Sequence, residues 1–312
     1  MSRILAFDTS NYTTSACVYD TQAGIVWENR IMIPVQNGKC GVRQSDAVFH
    51  HVKNLESLFD DIFQTDINCI CASRCPSERE NSYMPCFTVG MSYAKTISSL
   101  YGLPMYSYSH QKNHILAAAV TGGAQDILNT PFLAYHVSGG TTDVMLCSPD
   151  KEIFSVKKIG GSADISCGQL IDRTGTLLGF PFPCGKYIEK CSQGSLADNI
   201  KFKINDGFYN FSGFQNKAEK MYFENKSTGE ICNYILSVVL SFILNSIASF
   251  RKVYGELPVL MSGGVMSNKL LSDTIKQRLS GVYFAEPKYS LDNAAGIAML
   301  CAAERGELCG RF

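Results

Sequence analysis

The sequence predicts an α/β protein built from two lobes that repeat one plan. Three observations carry this. A glycine-punctuated strand–turn–strand meander opens the chain and returns about 130 residues later. Each meander is followed by amphipathic helices alternating with short β-branched runs, a pattern that packs helices on a sheet. Loops rich in Gly, Ser and Thr follow strands in both halves.

In the first half, residues 4–8, 16–19 and 25–33 read as strands joined by tight turns, one at Gly24. Val48, Val52, Leu55, Phe59 and Ile62 recur at spacings of 4, 3, 4 and 3, the apolar stripe of a helix. A short buried strand at 67–72 precedes a helix at 87–100, which Gly102 and Pro104 end. A strand at 105–108 leads into a helix at 109–120 with Ser109 as N-cap. The polar stretch 121–130 marks a boundary, giving a first lobe at 1–125 and a second at 126–292; the final helix, about 293–312, folds back on the first lobe. The second meander is 132–137, 142–147 and 153–157, after which Asp164 begins a helix. Residues 231–250 are strongly apolar, but Asn233 and Asn245 interrupt them, so they read as a buried helix. A strand at 258–261, a helix at 268–279, a strand at 282–285 and a helix at 293–305 complete the chain.

The 312 residues are 46% hydrophobic and 18% charged, enough for two packed cores. Lys+Arg and Asp+Glu are 28 each. A protein that grips nucleic acid unaided usually carries a basic excess, so any RNA contact here would use a local patch or a partner. The 13 cysteines form no C-x-x-C pair and mostly lie in apolar runs, as expected of reduced cytosolic thiols. Cys69, Cys71 and Cys75 lie close together, but their spacing matches no standard metal pattern. The N-terminus reaches Asp8 without the apolar run of a signal peptide. The expectation is a cytoplasmic protein with no membrane span.

Three small-residue loops each follow a strand. They are Asp8-Thr9-Ser10 with Thr13-Thr14-Ser15, then Ser138-Gly139-Gly140-Thr141-Thr142-Asp143, then Ser262-Gly263-Gly264-Val265-Met266-Ser267-Asn268. Glycine lets backbone N–H groups approach an anion, and Ser and Thr add hydroxyl donors. The third loop runs into a helix N-terminus, which favours negative charge. One such loop is ordinarily just a turn; three together predict a phosphate-binding cleft.

His110 and His114 are four residues apart, so a helix places both imidazoles on one face, a metal-chelating arrangement. The spacing fits equally two unrelated histidines at a helix start. His50 and His51 read as structural. Asp172 is at helical spacing from Asp164, and a carboxylate near a nucleotide suits a ribose diol, although most such acids are merely solvated. Asp292 stands where the last helix begins and locally reads as its N-cap.

Taken in order, these pieces resemble the threonylcarbamoyl transferase family of tRNA modification, whose bacterial member is TsaD and which was once labelled a glycoprotease family. The likeness runs from Asp8-Thr9-Ser10 to Asp292-Asn293-Ala294-Ala295-Gly296-Ile297-Ala298, and the family's first-helix pattern is visible from Gly41-Val42 through Ser45 to His51. The family's H-x-x-x-H falls on His110 and His114 and its third metal ligand on Asp292. Its S-G-G-x-T loop matches Ser138, Gly139, Gly140, Thr141 and Thr142, and its F-S-G matches Phe211-Ser212-Gly213. Its adenosine-binding set falls on Asp172, Gly185, Glu189 and Asn268. Thr9, Ser10, Gly263 and Gly264 complete the nucleotide loops.

The resemblance implies a two-lobed actin-like, Hsp70-like ATPase fold (ASKHA) with a nucleotide cleft between duplicated lobes. It implies one divalent metal, iron or zinc, acting as a Lewis acid. It also implies ATP or an acyl-adenylate as ligand, and transfer of a threonylcarbamoyl group to the adenosine amine of tRNA. tRNA with a helper protein and a fold-related dimerisation partner are the expected associates.

Several positions depart from the family pattern. Asn11 and Tyr12 replace its usual acidic pair. Residues 75–90 replace its G-P-G-x-x-x-x-L-x-V-G loop and keep only Val89-Gly90. Gln169 stands for a glutamate and Gln215 for a lysine. Lost acids change which charges the site tolerates. A carbamoyl-type transferase with a small-molecule or protein acceptor is therefore a second reading. A non-catalytic partner of the same fold is a third, opposed by the intact His110, His114 and Asp292. A metalloprotease reading is weak, because H-x-x-x-H lacks the glutamate of H-E-x-x-H.

Overall fold

The computed structural model describes residues 2–10, 12–34, 42–60, 66–286 and 292–308; Asn11, Gly41 and Ile62, singled out above, lie outside them. The chain forms two compact units. Unit 1 is Met1–Gln125, Pro149–Val156 and Lys288–Phe312; unit 2 is Asp126–Ser148 and Lys157–Pro287.

Unit 1 is built on a five-stranded sheet. β1 (Arg3–Ser10), β2 (Thr13–Asp20) and β3 (Gly24–Met32) form the meander, and β4 (Cys69–Cys75) and β5 (Met105–Ser109) extend it, in the order β3-β2-β1-β4-β5. β1 runs antiparallel to β2 and parallel to β4. β1 and β2 are almost wholly buried, because both faces of the sheet are covered, and this explains their unbroken apolar reading. Leu5, Phe7, Ile70 and Ala72 pack with Leu55 and Leu58 of α1 (Gln44–Leu58) and with Val89 and Ala94 of α2 (Phe87–Tyr101). The alternate positions turn the other way. Cys69 meets Cys301 at 3.5 Å, and the Cys71 thiol reaches the Ile297 carbonyl, both on the C-terminal helix Ala295–Glu304. α3 (His110–Thr121) lies against that same helix. Helix 1 therefore begins and ends about four residues before the apolar stripe suggested.

In unit 2 the meander recurs as β6 (Phe132–Val137), β7 (Thr142–Asp150) and β8 (Ile153–Ser162). α4 (Cys167–Leu177), α5 (Gly185–Cys191), the two-residue strands β9 (Ile204–Asn205) and β10 (Phe208–Tyr209), α6 (Ser212–Phe223) and α7 (Thr228–Tyr254) follow. β11 (Val259–Ser262), α8 (Lys269–Arg278), β12 (Val282–Phe284) and the C-terminal helix, α9, close the chain. The sheet order is β12-β11-β6-β7-β8-β10-β9. Its first five strands, read as β8-β7-β6-β11-β12, repeat the β3-β2-β1-β4-β5 order of unit 1, so the duplication read from the meanders extends to the strand plan.

α7 is long and apolar enough to cross a membrane, but 72% of its apolar window is buried and its Ile235, Val239, Phe242 and Ile243 belong to the unit 2 core. A Ser227/Glu230 capping box starts it. Asp164 does not begin a helix as expected. It precedes Ser166, which caps α4 together with Gln169, and its carboxylate accepts from Phe211 N and Ser212 N at 2.8 and 2.9 Å.

Candidate functional site

The side chain of Ser109 accepts from Lys112 N at 3.2 Å and starts α3 as its N-cap. The next residue is His110, and one turn on is His114, with 3.0 Å between their Nε2 atoms. Asp292, just before α9, puts Oδ1 at 3.4 Å from His110 Nε2 and 3.3 Å from His114 Nε2. One ligand atom from each residue lies within 4.8 Å of the others. Asp292 is not the cap of α9: Asn293 accepts from Ala295 N at 3.0 Å and Gly296 N at 3.4 Å. Its neighbour does the capping, so the Asp292 carboxylate is left to the histidines.

The orienting group is Asp8, at 0% side-chain exposure, whose Oδ2 is 3.0 Å from His110 Nδ1. This contact occupies one ring nitrogen and turns the other toward His114 and Asp292. Burial disfavours the charged form of His110, but Asp8 and Asp292 outweigh it and push its pKa up to about 10. Burial likewise opposes ionisation of Asp292, yet the two imidazoles hold it well below the ordinary carboxylate range. Two buried acids converging on a pair of imidazoles make a place where positive charge is strongly favoured. Two nitrogens and a carboxylate suit iron or zinc. Sequence reasoning missed Asp8 as a partner of His110, since the contact spans 102 residues.

Thr9 and Ser10 also belong to unit 1. The Thr9 hydroxyl donates to Cys86 O at 2.9 Å and accepts from Gly90 N at 3.1 Å, which fixes β1 to the start of α2. A Cβ at Gly90 would press on that hydroxyl, which explains why glycine stands there. Ser10 Oγ is buried without a partner. The altered segment 75–90 adjoins the same place: Pro76 O accepts from Gln111 N at 3.0 Å, and the Phe87 ring lies 5.9 Å from that of His110.

The remaining site residues lie in unit 2. Ser138, Gly139, Gly140 and Thr141 form a tight turn between β6 and β7, closed by Ser138 N to Thr141 O at 2.8 Å. Gly139 and Gly140 are exposed at its tip, with open space where side chains would be. A Cβ at Gly168 of α4 would collide with Ser138 O and Gly139 Cα, and one at Gly263 with Val137 O. Ser166 Oγ donates to Gly139 O at 2.8 Å. Two of the three predicted loops therefore meet, and Gly263, with φ 95°, adopts a conformation suited to glycine. Gly264 opens a 3₁₀ turn that ends at Asn268, the side-chain cap of α8.

Asp172, Gly185, Glu189 and Asn268 are linked. Asp172 Oδ1 accepts from Cys184 N at 2.8 Å, immediately before Gly185 opens α5, and Glu189 Oε1 accepts from Lys269 N at 2.8 Å, beside Asn268. Burial raises the pKa of Asp172. The Asp172 and Glu189 carboxylates thus each spend one oxygen on positioning the backbone. Gln215, expected to be a lysine, accepts from Arg173 at 3.2 Å and donates to Glu219 at 2.8 Å.

Comparison with known proteins adds to this geometry. The sequence model of the family described as "TsaD: tRNA N6-adenosine threonylcarbamoyltransferase" matches residues 28–299. A protein of that name from Riemerella anatipestifer is 26% identical over 318 residues, covering 92% of this chain and 91% of its own. One from Streptococcus pneumoniae is 27% identical over 325 residues, covering 96% and 92%. Among solved structures, full-length HypF in its phosphate- and nucleotide-bound form matches with TM-score 0.61 at 14% identity, over 98% of this chain and 55% of HypF. The activator of the 2-hydroxyisocaproyl-CoA dehydratase from Clostridium difficile, with bound ADPNP, matches with TM-score 0.53 at 13% identity, over 98% and 95%. These two likenesses show the two-lobed ATPase fold alone.

Proposed function

This chain belongs to the TsaD family of tRNA N6-adenosine threonylcarbamoyltransferases, and from that premise we propose that it transfers a threonylcarbamoyl group from an adenylate to the adenosine amine of tRNA, using one divalent iron or zinc ion. The observation that supports the metal-dependent part is the convergence of His110, His114 and Asp292, with Asp8 fixing the orientation of His110. A metal bound there would act as a Lewis acid on substrate oxygens. His110 and His114 would each offer Nε2 to it, and Asp292 one carboxylate oxygen. Unit 2 would hold the nucleotide: the exposed Gly139–Gly140 turn for phosphate, Asp172 for ribose hydroxyls, and Glu189 and Asn268 as the frame around the α8 start. Because the acyl group arrives already activated on AMP, no covalent enzyme intermediate is needed.

The neutral net charge supports work with a tRNA-binding helper, and a fold-related protein is the expected dimerisation partner. We read the protein as cytoplasmic. A second reading keeps this chemistry and changes the acceptor. The segment supporting it is 75–90, pinned to α3 through Gln111 and placing Phe87 beside His110.

The test combines the metal-loaded chain, its dimerisation partner, threonylcarbamoyl adenylate and unmodified tRNA, followed by mass spectrometry of the digested RNA. Threonylcarbamoyladenosine should form and should fall to background in Asp292→Ala. Equal product from that variant would contradict the assignment of the site.

A further inference from the structure

Strands β1, β2 and β3 are in register so that Asp8, Ser15 and Arg30 form one row across the sheet, with their side chains on one face. The Asp8 end of the row holds His110. Further along, the sheet and the start of α9 surround a cavity of about 150 Å³, lined among others by Ser15, Glu28, Arg30, Asn293, Ala294 and Ala295. It adjoins the candidate metal centre on two sides, since Ser15 is paired with Asp8 and Asn293 follows Asp292. A cavity of about this volume can hold a group the size of benzene, which is too small for a nucleotide but suits a small acyl moiety. Ser15 Oγ is already committed to Asp8 O at 3.2 Å, so the polar groups that remain for a ligand are on Glu28, Arg30 and the turn into α9. Among the described residues the Arg30 guanidinium has no acid or carbonyl partner, whereas Arg3 is paired with Asp20 and Arg74 with Glu78. Arg30 and Glu28 are two residues apart on one strand, so they offer a cation and an anion side by side.

We propose that this cavity is the subsite for the amino-acid end of the transferred acyl group, with Arg30 binding its carboxylate and Glu28 accepting from its hydroxyl or N–H. The proposal rests on the transferase reading above. A guanidinium matches a carboxylate with two parallel hydrogen bonds, and the start of α9 adds positive potential on the same side. Glu28 disfavours a ligand that presents only negative charge and favours one that also carries a donor. The subsite thereby selects an N-acylated amino acid over inorganic phosphate.

The experiment is calorimetric titration of the metal-loaded protein with N-carbamoyl-L-threonine, its neutral amide and N-carbamoylglycine. The variants are Arg30→Met and the charge-keeping Arg30→Lys. Arg30 is exposed, so both should retain the melting temperature and metal content of the parent. The acid should bind at least about tenfold more tightly than its amide. Arg30→Met should remove that difference, and Arg30→Lys should keep part of it. Equal affinity of Arg30→Met and the parent for the acid overturns the proposal, as does failure of the parent to bind either carbamoyl acid. Arg30-dependent binding of N-carbamoylglycine with exclusion of the threonine compound would retain the carboxylate subsite and overturn the threonyl assignment.

Discussion

Asp8 and His110 meet through Oδ2 and Nδ1 at 3.0 Å, although 102 residues separate them in the chain. The contact decides which ring nitrogen faces His114 and Asp292. A carboxylate in this position also raises the basicity of the imidazole as a ligand. Asp8→Asn keeps the shape and removes the charge. Metal affinity, measured by competition with a chelator, is expected to fall by roughly 10- to 100-fold. Unchanged affinity would mean that Asp8 serves only to pack the end of β1.

Asn293 is expected to matter for stability in its own right. Its side chain caps α9, and its carbonyl accepts from Asn113 Nδ2 at 2.5 Å, joining α9 to α3. Asn293→Ala should cost about 1 kcal/mol in urea unfolding. Because Asp292 is anchored by this turn, metal affinity should weaken in the same variant. A stability loss with no change in affinity would separate the cap from the site.

Gly168→Ala should impair nucleotide binding without touching the metal centre. Alanine ordinarily favours a helix over glycine by about 1 kcal/mol. At Gly168 the added Cβ would strike Ser138 O and Gly139 Cα, so the turn must move. Affinity for ATP should drop at least about tenfold, with metal content unchanged. Parent-like binding would show that the Ser138–Thr141 turn is not the phosphate site.

His51 gives the protein an acid-sensitive contribution to stability. It is fully buried, with Nδ1 at 2.8 Å from the Thr14 hydroxyl, and burial lowers its pKa from 6.5 to about 4 despite the opposing influence of Asp8. Between those values the unfolded chain binds a proton that the folded chain does not. Stability is therefore full above about pH 6.5 and is lost as the pH falls toward 4. From pH 7 to pH 5 this loss is about 2 kcal/mol. Urea melts of His51→Gln at the two pH values should show a smaller decline than the parent. Equal declines would place the acid sensitivity elsewhere.

Both meanders and most helices were legible because their apolar residues recur with the period of the element they form. Ser109 was legible as a cap because capping is local. Contacts between distant segments were not. Nothing near Asp164 in the sequence reveals that it binds Phe211 N and Ser212 N, and nothing near Asp8 reveals His110. The strands β9 and β10 have two residues each, too short for any alternation to register. Asp292 read locally as a cap because it stands one residue before Asn293, which is equally suited to that task and performs it. Thr9 was read with the phosphate loops on composition alone, whereas its hydroxyl is used by Cys86 and Gly90.

The most direct measurement is expression of this chain in cells depleted of their own threonylcarbamoyl transferase, together with its dimerisation partner, followed by mass spectrometry of digested tRNA. Threonylcarbamoyladenosine should return with the parent and stay absent with Asp292→Ala. If the nucleoside stays absent with the parent, while the purified protein holds metal and nucleotide, transfer to tRNA is contradicted and the acceptor is another molecule.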